Sequence, residues 1–190
     1  MKVIFIHGYD TNPLKRKYQI IRQRLADLGV DCVMPAMPGD LVPRRRDWVE
    51  VIKNEVAAAN GPVVLAGHSL GTAAILLYLD QNAPGNIESV VLFSAVDVGR
   101  EKNREKAGGN VADFYCPVDY GKIRKAAKRF VITSSKDDPV VEFFQSEDLR
   151  DKLGAELLPV DNMGHFKGEA TGERDGAYFF LVIKSVLFHD

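Results

Sequence analysis

Val63-Val64-Leu65-Ala66 runs directly into Gly67-His68-Ser69-Leu70-Gly71, and Thr72-Ala73-Ala74 follows. The four apolar residues predict a buried strand. Leu70 to Leu79, rich in Ala and Leu, predicts a helix packed closely on it. A serine flanked as G-x-S-x-G between a strand and a helix occupies a sharp turn, with its hydroxyl presented at the C-terminal edge of a sheet. Side chains at Gly67 and Gly71 would crowd that turn. The helix that starts beyond Ser69 directs its dipole and its free N–H groups toward the serine.

Outward from this turn, short apolar runs alternate with amphipathic stretches. Strands are expected at Val3–Ile6, more weakly at Val30–Met34, and at Ser89–Phe93, Phe130–Thr133 and Glu156–Val160. Helices are expected along Leu14, Tyr18, Ile21, Leu25 and Leu28, along Trp48 to Ala59, and over Glu142–Leu153 and Tyr178–Phe188. Strand-helix alternation of this kind predicts an α/β protein: a three-layer α/β/α sandwich around a mostly parallel sheet of about six strands. No linker or repeat divides residues 1–190, so one domain is expected. The segment from Ala95 to Tyr120 is long for a connection, which suits either a binding loop or a solvated excursion.

Composition narrows the function. The chain has 190 residues, 46% hydrophobic and 27% charged, with a formal net charge of −1. That balance argues against a nucleic-acid partner. No run approaches a membrane span, and the four apolar residues after Lys2 are too few for a signal-peptide core. The two cysteines, Cys32 and Cys116, make neither a disulfide framework nor a zinc site. A cytoplasmic protein with no metal and no cofactor is the expectation. The basic runs Lys15-Arg16-Lys17 and Arg44-Arg45-Arg46 read as solvated helix-start faces.

A nucleophilic serine needs a base, and the base needs an orienting acid. Of four histidines, His7 and His68 precede Ser69, and His189 is the penultimate residue. His165 follows the strand Glu156–Val160 and so stands at the same sheet edge as Ser69. The acid should leave a strand ahead of it. Asp138 is the first choice, Asp137 the second, and Asp97 the third. An oxyanion hole would use the backbone N–H groups of Leu70 and of Tyr9, in the loop after the first strand. His7 is expected to pack and hydrogen-bond beneath that loop. Phe114, Tyr115 and Tyr120 are candidates either for lining the site or for the core.

These motifs resemble the α/β-hydrolase superfamily, and more narrowly the small serine hydrolases of the retinoblastoma-binding protein 9 type. The resemblance runs through Gly67-His68-Ser69-Leu70-Gly71, Asp137-Asp138-Pro139 and Gly164-His165-Phe166, with Met37-Pro38 and Asp47-Trp48 besides. It implies a compact hydrolase fold without a large lid and favours Asp138 in the acid turn. The chain departs from the family pattern with Ser134-Ser135 where a glycine is common, and with Glu142 where a proline is common. The resulting expectation is hydrolysis of a small-molecule or peptide ester, thioester or amide through an acyl-enzyme on Ser69. A binding module that keeps the fold without turnover is the alternative, as is acyl transfer or haloperoxidase chemistry on the same scaffold. A protein partner and the oligomeric state are left open.

Overall fold

The computed structural model describes residues 1–82, 84–167 and 172–188. Six strands form one parallel sheet: β1 (Lys2–Ile6), β2 (Asp31–Val33), β3 (Val63–His68), β4 (Ile87–Phe93), β5 (Arg129–Ser135) and β6 (Glu156–Val160), in the order β2-β1-β3-β4-β5-β6. The seven helices described are α1 (Arg16–Asp27), α2 (Arg45–Ala57), α3 (Leu70–Asn82), α4 (Glu101–Lys106), α5 (Tyr120–Lys125), α6 (Phe144–Leu153) and α7 (Glu173–Leu187).

Alternation along the strands separates two cores. Val3, Phe5, Val64, Ala66, Val91 and Phe93 face α1 and α7, where they meet Tyr18, Ile21, Leu25, Phe179 and Ile183. Ile4, Ile6, Leu65, Val90, Leu92 and Ile132 face the other way, toward Trp48, Ile52, Leu149 and the apolar residues of α3. A period of two on strands covered on both faces leaves the interiors of β1, β3 and β4 largely apolar, while the edge strands β2 and β6 stay partly exposed. This is the three-layer sandwich expected from the sequence, and no large lid is present among the described residues. No helix among them is long and apolar enough to cross a membrane.

Several boundaries differ from the sequence reading. Leu14 is 80% exposed, and Leu28 is exposed as well. Asn12 and Pro13 start a turn closed by the Lys15 N–H to Asn12 O bond, so α1 begins after Leu14. α7 begins at Glu173 rather than at Tyr178, because its first turn is polar and gives no apolar period. The excursion after Ala95 folds into α4, a 3₁₀ turn at Ala112–Phe114, and α5.

The sheet order reverses between β1 and β3, and the loops leaving their C-terminal ends diverge to opposite faces. In open parallel sheets such a switch point is where a crevice forms. Gly71 allows the close packing this requires: a Cβ there would stand 2.3 Å from Ile6 O and 2.7 Å from His7 O.

Candidate active site

Ser69 sits between β3 and α3 with φ at +53°, in the left-handed region a non-glycine residue rarely adopts. Its N–H bonds Phe93 O at 2.9 Å. The Thr72 hydroxyl donates to Ser69 O at 2.7 Å and accepts from the Val96 N–H at 3.0 Å. The elbow is thus tied both to β4 and to the loop that follows it.

The structure brings His165 and Asp138 to this serine. His165 Nε2 lies 2.9 Å from Ser69 Oγ. His165 Nδ1 lies 2.9 Å from Asp138 Oδ2 and 3.1 Å from Oδ1. Both His165 and Asp138 are buried. The carboxylate is held by three further donors: Ser94 Oγ at 2.7 Å, Val140 N–H at 2.8 Å and Val141 N–H at 3.0 Å. Burial pushes the Asp138 carboxyl up. The His165 ring, the Val141 N–H and the Ser94 hydroxyl more than offset this, and it rests below the ordinary carboxylate value.

The other two aspartates serve elsewhere. Asp137 accepts from the Ser135 hydroxyl and from the Gly164 N–H, so it fixes the turn that carries His165. Asp97 is fully buried, paired with Lys152 at 2.6 Å and bonded by Tyr120 Oη. The departures in the acid turn also have structural uses. Ser134 Oγ bonds Ser146 Oγ at 2.6 Å, and Ser135 Oγ accepts from the Met163 N–H at 3.0 Å.

Tyr9 and Leu70 line the same cleft as Ser69. Leu70 is the first residue of α3, so its N–H has no acceptor within the helix. Gly8 brings the β1 loop against the elbow, since a Cβ there would lie 3.2 Å from the Ser69 Cβ. His7 packs edge-on to Trp48. Its Nδ1–H donates to Gly8 O at 2.8 Å, and Nε2 accepts from the Met37 N–H at 3.1 Å. Burial lowers its pKa, in keeping with that neutral tautomer. His189 lies outside the described residues.

The sequence reading missed two supports. Ser94 leaves β4 with φ at +47° and reaches the Asp138 carboxylate. His68 Nε2–H donates to His165 O at 3.0 Å and so anchors the His165 backbone from behind. Burial first, and then the positive field of Lys17, lower the His68 pKa and hold the ring neutral. No local signal marks Ser94. The place of His68 within the serine motif was the available clue.

A cleft of about 460 Å³ opens beside Ser69, lined by Val96, Ala107, Val111, Tyr115, Val140 and Val141 among others. The excursion after Ala95 therefore forms one wall, and Tyr115 faces the site. Phe114 belongs to the core instead, edge-on to Trp48. Tyr120 is committed to Asp97. Among the described residues no group of His, Cys, Asp and Glu could hold a metal.

The model of the serine hydrolase family matches residues 3–174. This chain belongs to the serine hydrolase family. YdeN of Bacillus subtilis (strain 168) is 30% identical over 169 residues, covering 87% of this chain and 85% of YdeN. Serine hydrolase RBBP9 of Rattus norvegicus is 25% identical over 171 residues, covering 90% and 86%. The crystal structure of the ydeN product superimposes with a TM-score of 0.81 over 99% of both chains, at 26% identity. The fold is therefore the α/β-hydrolase fold, and the family membership supports hydrolase activity for the chain.

Proposed function

We propose that this serine hydrolase cleaves a carboxylic ester, thioester or amide through an acyl-enzyme on Ser69, with Asp138 and His165 completing a triad. The observation that carries the reading is the unbroken hydrogen-bond chain from Asp138 through His165 to Ser69, with links of 2.9 Å and 2.9 Å, at the mouth of an open cleft. His165 Nε2 takes the Ser69 proton as Oγ attacks the carbonyl carbon. Asp138 keeps the imidazole proton on Nδ1 and stabilises the imidazolium. The N–H groups of Leu70 and Tyr9 receive the oxyanion. Protonated His165 then gives its proton to the leaving group. Water, activated by the same base, cleaves the acyl-serine.

The open cleft favours turnover over a binding-only role, which an obstructed pocket would have suited. A cytoplasmic setting belongs to the same reading. The test is steady-state hydrolysis of 4-nitrophenyl acetate by wild type and Ser69→Ala. A loss in kcat of at least about 10³-fold is expected. A variant within a few-fold of wild type would end the serine mechanism.

A further inference from the structure

A second cleft, of about 320 Å³, lies on the α1 side of the elbow and shares Tyr9, Ser69 and Lys167 with the first. The two differ in chemistry. The first is walled mainly by apolar side chains. Besides the shared Lys167, the second carries Lys15, Arg16 and Lys17 against the carboxylates of Asp10 and Asp175. In a chain of net charge −1 this concentration of cations is local.

The cations differ in how far they are committed. Arg16 pairs with Glu173 at 2.7 Å, outside the cleft. Lys17 is partly buried; its Nζ donates to Phe166 O at 2.8 Å, and Asp175 is the carboxylate acting on it. Nζ also lies 5.1 Å and 5.8 Å from the ring centroids of Tyr18 and Phe179, and an ammonium with three donors keeps donor capacity beyond the bond to Phe166. Lys167 is exposed, two residues beyond His165. Burial lowers Lys17 to about 8 although Asp175 opposes this, and Lys167 lowers it further by repulsion. The fields of Lys17 and Lys167 also act on His68, beside Ser69. An anion between the two ammonium groups would relieve their repulsion, and a neutral group would not. Lys15 and Arg16 are exposed, as expected of a solvated helix-start face, and the run Lys15-Arg16-Lys17 also lines this cleft.

We propose that this cleft is a subsite for an anionic group on one limb of the substrate, so that the preferred substrate is an ester or amide carrying a carboxylate or similar anion a few bonds from the scissile carbonyl. This rests on Ser69 being the nucleophile.

Two matched pairs of esters test it and show which limb carries the charge. On the acyl side, mono-4-nitrophenyl adipate is compared with 4-nitrophenyl hexanoate. On the leaving-group side, 4-acetoxybenzoate is compared with its methyl ester. In at least one pair the anionic member should have the higher kcat/KM, by about 10-fold in 50 mM NaCl. The ratio should shrink in 0.5 M NaCl and fall below one in Lys167→Glu, whose changed side chain is exposed. Ratios at or below one in both pairs, with the neutral esters turned over, would overturn the subsite and leave the serine reading standing. So would a high ratio that Lys167→Glu and salt do not change. Absence of turnover with all four esters, together with no fluorophosphonate adduct on Ser69, would remove the serine reading and the subsite with it.

Discussion

Replacing Asp138 with Asn changes two atoms' chemistry and almost no volume. The native carboxylate is surrounded by donors: Ser94 Oγ, His165 Nδ1, Val140 N–H and Val141 N–H. An amide has a single acceptor oxygen. If that oxygen stays on the two backbone N–H groups, the NH₂ takes the place of Oδ2 and faces His165 Nδ1. The ring must then accept there and carry its proton on Nε2, toward Ser69. In that tautomer it cannot take the serine proton. The opposite amide orientation restores the tautomer but strands two backbone donors, at about 1–3 kcal/mol each. Neither orientation keeps the negative charge that stabilises the imidazolium. Together these effects should lower kcat/KM by about 10⁴-fold, or roughly 5.5 kcal/mol of transition-state stabilisation. The assay is 4-nitrophenyl acetate hydrolysis, with circular dichroism to verify the fold. Asp137→Asn and Asp97→Asn serve as comparisons. A folded Asp138→Asn variant with more than about a tenth of wild-type kcat/KM would refute the reasoning. So would an equal loss in Asp137→Asn.

Two more outcomes follow from the same carboxylate. Ser94→Ala removes one hydrogen bond to a charged acceptor, worth on the order of 2 kcal/mol, and kcat/KM should fall by up to about 30-fold; a change of less than twofold would leave the charge to His165 and the backbone donors alone. The folded-state Asp138 pKa lies below its ordinary 3.8, so its stabilisation is fully present above that value and is lost as pH falls through the lower one. Thermal melting between pH 5 and 3 should therefore drop less steeply in Asp138→Asn than in wild type, and parallel slopes would contradict the assignment.

The fold was legible because its central strands are apolar on both faces and its helices mostly are not. β6 falls over Glu156–Val160 as read, and β3 extends only two residues further, to His68. The start of α7 was hidden by its polar first turn, where buried Asp175 acts on Lys17 rather than presenting an apolar stripe. The elbow announced itself through its glycines, and His165 through its place after β6. Asp138 stood ahead of Asp137 on sequence and resemblance; the turn's geometry adds that the adjacent aspartates point in different directions and only Asp138 meets the imidazole. Ser94 and the basic cleft depend on contacts between segments remote in sequence, as between Ser94 and Asp138 or Lys17 and Phe166. Periodicity and spacing carry no signal for such pairs. The charge run at Lys15 looks the same in sequence whether it faces solvent or a cleft.

Reaction of the native protein with a fluorophosphonate, read by intact mass, addresses the activated serine without any choice of substrate. One adduct is expected on wild type, with none on Ser69→Ala and none on heat-unfolded protein. An adduct that persists in Ser69→Ala would place the reactive group elsewhere, and a native wild type that takes none would contradict an activated Ser69.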